Sequence, residues 1–233
     1  DSSYASSARD AILEGLNPSQ QEAVTHGGGP LLVVAGAGSG KTRVLTRRVA
    51  WLVAGGLPAR AVLAITFTNK AAGVLRDRLG SLPGAWDVWA GTFHGFGSFM
   101  LRRWGEAIGI PSDFTILDRE DQRRLLKNLV TDLDLDPKQL KPRPLAEMLS
   151  LAKNGGTGPR PLDLTAPDMD EAFRRIHEAY VERLRASNLL DFDDLLLEAL
   201  RLLEESEEAR EHYARRFAHV LVDEYQDTNV VQA

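Results

Sequence analysis

The chain contains no cysteine in its 233 residues. A disulfide framework and a thiolate metal site are thereby excluded, and the composition suits a reducing cytoplasm. No apolar run approaches the roughly 18 residues of a membrane span, and no basic-then-apolar signal peptide opens the sequence. Positive charge is not in excess either: 28 Lys and Arg stand against 33 Asp and Glu, a net charge of −5. That balance argues against a polycation that coats nucleic acid, so any such binding must come from a local surface. Low-complexity tracts and internal repeats are also absent. What is present, 43% hydrophobic and 26% charged residues, is ordinary for a globular protein, with length for one large domain or two small ones.

The stretch that organises the chain is Leu31-Leu32-Val33-Val34-Ala35-Gly36-Ala37-Gly38-Ser39-Gly40-Lys41-Thr42. An apolar run enters a glycine-rich turn, and Lys-Thr opens an amphipathic helix, the context a phosphate-binding loop requires. Gly36, Gly38 and Gly40 can adopt backbone angles closed to other residues, so that the N–H groups of this turn, Ala37 and Ser39 included, converge on one anion. The helix N-terminus adds partial positive charge. Lys41 is placed to reach the β- and γ-phosphates, and the Thr42 hydroxyl to ligate Mg2+. Ala35 replaces the first glycine of the strict pattern. The plainer reading is a glycine-rich turn with an incidental Lys-Thr pair; strand, glycines, Lys-Thr and helix arriving in register argue against it.

Upstream, residues 1–9 are small and polar and read as a frayed tail. Asn17 can cap a short helix with Pro18 in its first turn, and Gln20, just ahead of the loop, is a candidate for reading adenine through its amide. Downstream, the spacing predicts a helix from Thr42 to Ala54 stopped by Gly55-Gly56. A buried strand is expected over Ala61–Phe67, a helix capped at Thr68-Asn69 and running to Gly80, and a third strand over Val88–Phe93 that ends at His94-Gly95. Alternating strands and helices point to a parallel sheet covered on both faces.

The middle of the chain reads as helical. Helices are expected from Asp118, from Pro144 to Lys153, along the stripe Met169, Phe173, Ile176, Tyr180 and Leu184, around Leu195–Leu203 and around Tyr213. Pro- and Gly-rich connections, Gly155 to Pro161 among them, separate them, and the only strand expected here is Phe114–Ile116. The chain closes on an apolar strand, Ala218–Val222, followed by Asp223 and Glu224. Asp223 can hold Mg2+ through water and Glu224 can polarise an attacking water; the alternative is a solvated acidic turn.

Taken together these motifs resemble the UvrD/PcrA/Rep-like DNA helicases of superfamily 1, from Leu16 to Gln232. Leu16-Asn17-Pro18-Ser19-Gln20 is similar to the family's Q motif, which implies adenine contact by Gln20. Residues 35–42 resemble motif I, where the family also accepts alanine first, and Arg43 matches a position packed near the base. Thr66–Ala72 and Gly91-Thr92-Phe93-His94 resemble motifs Ia and Ib on the single-stranded DNA track. Asp191-Phe192-Asp193-Asp194 resembles a later DNA-contacting motif, and Asp223–Thr228 resembles motif II. Val74 departs from the family's frequent glutamate.

The resemblance implies an α/β fold: a RecA-like P-loop NTPase parallel sheet with helices on both faces, carrying an inserted all-α subdomain. Its domains would be 1–108 and 191–233 for the ATP-binding domain 1A and 109–190 for the insertion 1B. It implies ATP and Mg2+ as cofactors, with Lys41, Asp223 and Glu224 catalytic and Thr42 and Asp223 at the metal. Single-stranded DNA and single/double-strand junctions would be the partners, and the setting cytoplasmic and nucleoid-associated. Phe67 and Phe192 offer stacking faces, and Asn69, Thr92 and His94 can bond phosphates; the bland alternative is that these aromatics are core. The family continues with a further strand and a second RecA-like domain that supplies transition-state arginines. The expected activity is therefore ATP-dependent 3′–5′ translocation and unwinding in repair or replication, with this chain as the N-terminal part of the motor. Competing expectations are an ATP- and DNA-binding module without turnover, and the helicase part of a RecB/AddA-like helicase–nuclease.

Overall fold

The computed structural model describes residues 9–154, 167–229, 231 and 232; residues 1–8, most of the expected tail, and the Gly155–Pro161 connection lie outside these. It divides into two compact units, residues 1–93 with 211–227 and residues 94–210 with 228–233.

In the first unit a short helix, α1 (Pro18–Thr25), precedes α2 (Lys41–Ala54), β1 (Val62–Thr66), α3 (Asn69–Gly80) and β2 (Trp89–Thr92). Asn17 and Gln20 close a reciprocal capping box on α1, which satisfies two of the backbone donors a helix start leaves open. Thr68 caps α3 by accepting from the Ala71 amide. The last strand, β5 (His219–Val222), completes a parallel sheet of order β2-β1-β5. Registers such as Ala64 with Ala90 and Ala64 with Leu221 bury β1 along its whole length, as a central parallel strand requires. Leu45 and Val49 of α2 and Leu75 and Leu79 of α3 pack with Val62 and Ala64 in one core.

Two expectations for this unit are corrected. Leu31–Val34 pair with no strand among the described residues, and Leu32 and Val34 are 70% and 87% exposed. An apolar β-branched run carries strand propensity, but a ladder exists only where a neighbouring backbone supplies the hydrogen bonds. The expected strand Val88–Phe93 ends at Thr92, and helix α4 (Phe93–Trp104) starts immediately. His94 is therefore a first-turn helical residue and not a strand-end one.

The second unit is helical, as the middle of the chain suggested. It contains most of α4, then β3 (Thr115–Ile116), α5 (Arg119–Asp132), α6 (Pro142–Lys153), α7 (Pro167–Ala186), β4 (Leu189–Leu190) and α8 (Phe192–Glu205). Helix α9 (Glu207–Arg216) leads back to β5. Leu126, Leu129 and Val130 of α5, Leu145, Met148 and Leu149 of α6, and Ile176, Tyr180 and Leu184 of α7 share one core; each fully buried aliphatic side chain stabilises by about 1.5–3 kcal/mol. Helix α6 begins at Pro142, two residues ahead of the expected Pro144. The short strand near Phe114 has a partner not anticipated, since Thr115 and Ile116 pair in parallel with Leu189 and Leu190.

Candidate functional site

The glycine-rich turn connects to α2 through Gly40, whose φ of 88° lies in the left-handed region. Gly38, at 76°, does too, whereas Gly36 shows no positive φ. A side chain at Gly40 would be strained and would meet the Gln20 amide nitrogen at 3.1 Å. Gly40 also brings no side-chain cap to α2. The first-turn N–H groups of Lys41, Thr42 and Arg43 are thus left for an anion, reinforced by the helix dipole. Ser39 Oγ donates to the Gly36 carbonyl at 2.7 Å. Lys41 Nζ donates to the carbonyls of Ala35 and Gly36 at 3.2 and 3.4 Å, which folds the ammonium over the loop that a phosphate would occupy. Ala37 and Ser39 are exposed beside it.

Thr42 Oγ1 donates to Asp223 Oδ2 at 3.0 Å, across 181 residues of sequence. Asp223 is 8% exposed, held by its own amide donating to the Ile65 carbonyl at 2.8 Å. One hydroxyl and one carboxylate in contact are hard oxygen donors of the kind Mg2+ uses together with phosphates and water, so these residues fit the ion. Among the described residues no group of three or more His, Cys, Asp or Glu side chains is arranged to hold a metal ion. Glu224 has φ 55°, an uncommon angle for a residue with a side chain and one that clusters at functional sites. Its carboxylate accepts from the Gln226 amide.

Gln20 is tied down at both ends: Oε1 accepts from the Asn17 amide at 3.0 Å and Nε2 donates to the Ser39 carbonyl at 2.9 Å. An amide carries two donors and two lone pairs, so one of each remains to meet a base edge. Arg43 Nη2 donates to the Glu14 carbonyl at 3.5 Å, which brings it beside the same α1 entry. Gln20→Ala is expected to weaken binding of an ATP analogue and to erase its preference over GTP, as titration of both nucleotides would read. Equal affinities in the parent chain, unchanged by the substitution, would leave Gln20 as a capping residue only.

The residues expected on a DNA track fall into both units. In the first, Phe67 is half-buried and meets Phe93 edge-on at 5.4 Å, Asn69 is exposed in the first turn of α3, and Thr92 is 8% exposed. In the second, His94 and Phe192 meet edge-on at 5.8 Å, and Phe192 is 45% exposed. Burial, and to a lesser degree the Arg119 charge, lower the His94 pKa although Asp193 opposes them; His94 therefore stays neutral near pH 7.

One cluster had no counterpart in the sequence reading. Lys153 at the end of α6 donates to Asp191 at 2.6 Å and to Asp194 at 2.7 Å, with 9% of its side chain exposed against 3% and 15%. Tyr180 donates to Asp191 at 2.8 Å, and Asn154 donates to Asp193 at 2.9 Å. Burial opposes charge on all members. The two aspartates nevertheless raise the Lys153 pKa, and Lys153 lowers that of Asp191. Burial prevails at Asp194, which is pushed up to about 6. Asp191 and Asp194 also form the capping box of α8. The sequence signal was available in Lys153-Asn154 ending one amphipathic helix and the acidic run opening another, but nothing local says that the two meet.

A glycine-rich turn leads into α2, and Thr42 of that helix bonds the aspartate that follows β5; comparison places the chain that carries them. The chain belongs to the UvrD/REP helicase N-terminal domain family, which it matches over residues 16–233. It is 47% identical to the ATP-dependent DNA helicase UvrD1 of Mycobacterium tuberculosis over 97% of this chain. It is 45% identical to the ATP-dependent DNA helicase PcrA of Bacillus subtilis over 95%, and 42% identical to DNA helicase II of Escherichia coli over 95%. It spans only about 30% of the length of these relatives. Among the described residues no helix is long and apolar enough to cross a membrane.

Proposed function

We propose that this chain carries the ATP-binding half of a DNA helicase motor, a RecA-like domain 1A (1–108 and 191–233) with an inserted helical 1B (109–190). The observation that carries the reading is the Thr42–Asp223 hydrogen bond at 3.0 Å. It joins a hydroxyl of the first turn of α2 to a strand-end carboxylate, a pair of hard oxygen donors of the kind Mg2+ takes together with phosphates and water. Gly36 to Arg43 would hold the triphosphate, Gln20 and Arg43 the adenine, and Asp223 and Thr42 the metal, whose charge would offset that of the phosphates. Glu224 would orient the attacking water through the geometry its left-handed backbone imposes.

Phe67, Asn69 and Thr92 in one unit and His94 and Phe192 in the other would contact single-stranded DNA or a single/double-strand junction. The similarity to UvrD1, PcrA and DNA helicase II supports DNA as the substrate. Movement in the 3′–5′ direction, in repair or replication and in a cytoplasmic, nucleoid-associated setting, is what the motif resemblance implies and is part of the proposal. Lys41→Ala is the direct test. The ammonium is the chief neutraliser of the phosphates, and a charged hydrogen bond of this kind contributes about 1.5–3 kcal/mol. The substitution should therefore weaken ATP–Mg2+ binding by one to two orders of magnitude in calorimetry, with adenosine, which has no phosphate, unaffected. Unchanged ATP affinity would remove the phosphate-loop assignment.

A further inference from the structure

Beyond Glu224 the chain makes a short 3₁₀ turn, Tyr225–Asp227, and passes into the helical unit at Thr228. Hydrogen bonds take the slack out of this passage. The Asp227 amide donates to the Glu224 carbonyl at 2.9 Å, and Gln226 Nε2 donates to the Glu224 carboxylate. Asn229 then closes a reciprocal box with Gln232. Its amide donates to Gln232 Oε1 at 3.1 Å, and its Oδ1 accepts from the Gln232 amide at 3.0 Å, the pattern that satisfies backbone donors at the start of a helical turn. The remaining group, Asn229 Nδ2, donates to Asn154 Oδ1 at 3.1 Å.

Asn154 is the C-cap of α6, and its amide joins three elements. Nδ2 donates to the Ser150 carbonyl within α6 at 2.8 Å and to Asp193 Oδ1 in α8 at 2.9 Å, while the oxygen takes the Asn229 donor. An amide has only two N–H donors, so Asn154 cannot follow one partner without pulling on the others. Lys153 removes the remaining play between α6 and α8 by binding Asp191 and Asp194 at 2.6 and 2.7 Å. Phe192 lies between Asp191 and Asp193 in the chain, so the peptide that carries its ring is fastened on both sides to the Lys153-Asn154 pair. A displacement at Asn229 thus reaches the first turn of α8 through two consecutive side-chain hydrogen bonds. Contiguous networks of this kind are one physical carrier of coupling between sites.

We propose that Asn154 is a positioning residue that couples the Asp223–Glu224 turn to the first turn of α8, so that nucleotide affinity and single-stranded DNA affinity depend on one another. The inference rests on the DNA-motor reading above and adds to it a route between the two sites. The chain also passes between the units at Phe93–His94, which makes that passage a rival route. There the contacts are edge-on ring pairs, Phe67 with Phe93 and His94 with Phe192, which fix direction less closely than hydrogen bonds do. Substitution of Asn154 leaves that passage intact.

The experiment is a thermodynamic cycle on this chain. Labelled oligo-dT is titrated by fluorescence anisotropy with and without AMP-PNP and Mg2+, and AMP-PNP is titrated by calorimetry with and without oligo-dT. Linkage requires the same coupling factor in both directions, and factors of about 5- to 150-fold are usual for coupled sites. A parent factor in that range should fall toward one in Asn154→Leu, with a melting curve showing that the variant folds. Asn154→Asp sets a carboxylate against Asp193 and should lower the factor as well. The exchange Asn154→Asp/Asp193→Asn restores a donor–acceptor pair there, keeps an acceptor for Asn229, and should bring the factor back. A variant that merely loosens the fold would weaken both ligands and leave their coupling factor unchanged.

A coupled parent with an equally coupled Asn154→Leu overturns the proposal, assigns the coupling to the Phe93–His94 passage, and leaves the DNA reading standing. A parent that binds both ligands independently overturns it too, again with the DNA reading intact. A parent that binds no oligo-dT overturns both. Should Asn154→Leu not fold, the exchange set against Asn154→Asp carries the test, and an exchange that leaves the factor at one overturns the proposal.

Discussion

Given ATP, Mg2+ and single-stranded DNA, the 233-residue chain is expected to retain nucleotide yet hydrolyse it about 10³–10⁵-fold more slowly than when a second motor domain is supplied. Binding and turnover draw on different groups. In the proposed function the α2 N-terminus, Lys41 and the Thr42–Asp223 pair would address ground-state phosphates and metal, and Glu224 would orient a water. Charge that develops on the transferred phosphoryl group in the transition state needs a further cation. In phosphoryl-transfer enzymes an arginine finger supplies it, with the magnitude just stated. The family resemblance puts that arginine in a second RecA-like domain, and this chain spans about 30% of its relatives. Steady-state hydrolysis with and without oligonucleotide, alone and with a separately produced second motor domain, reads the difference. Fast DNA-stimulated turnover by the chain alone would show that the cation comes from within these residues.

Lys153→Met should destabilise the helical unit by about 3–5 kcal/mol near neutral pH, the usual cost of removing one partner from a buried ion pair. The Lys153 side chain is 9% exposed and faces two carboxylates at 2.6 and 2.7 Å; methionine fills the volume but leaves both without a counter-charge. The pH dependence gives the cause away. With Asp194 already pushed up to about 6 by burial, acid can protonate it and relieve the defect. The penalty should therefore be smaller at about pH 5 than at about pH 8.

In the parent chain the signs follow from the same shifts. Lys153 is raised above 10.5, so its contribution is full below that value and is lost at higher pH. Asp191 is lowered below 3.8, so its contribution is present above 3.8 and is lost on acidification. Asp194 is raised, so its ionisation costs stability, a penalty that builds between 3.8 and about 6 and stays in full at higher pH. Urea melts followed by circular dichroism at the two pH values check this. A penalty below about 1 kcal/mol, as exposed pairs give, or one equal at both pH values, would mean that the aspartates are solvated despite their burial.

Local chemistry was enough for much of this protein. Asn17, Pro18, Thr68 and Asp118 announce helix starts because capping is a matter of a few adjacent atoms. The α2 face, the β1 run and the Leu-rich stripes of α5 and α7 follow from periodicity alone. The Gly-Lys-Thr turn and the Asp223-Glu224 strand end were legible for the same reason, since each motif is complete within a dozen residues. Misreadings came where the decisive partner is remote or the transition abrupt. Leu31–Val34 has the composition of a strand, but a strand is made by its neighbour, and none lies beside it among the described residues.

His94 looked like a strand end because nothing in Thr92-Phe93-His94 signals that a helix begins without a connecting loop. Asp191 and Asp194, at the start of α8, close around Lys153, 38 and 41 residues away, a contact that nothing local announces. Sequence by itself thus determined the family and the helical character of the middle segment, and it supplied the phosphate-loop reading that the proposed function uses. Tertiary structure alone decided that Thr42 meets Asp223 and that Lys153 neutralises the start of α8. Pairwise electrostatics act over a few ångströms in space, and no local pattern in the chain encodes which distant residues will come that close.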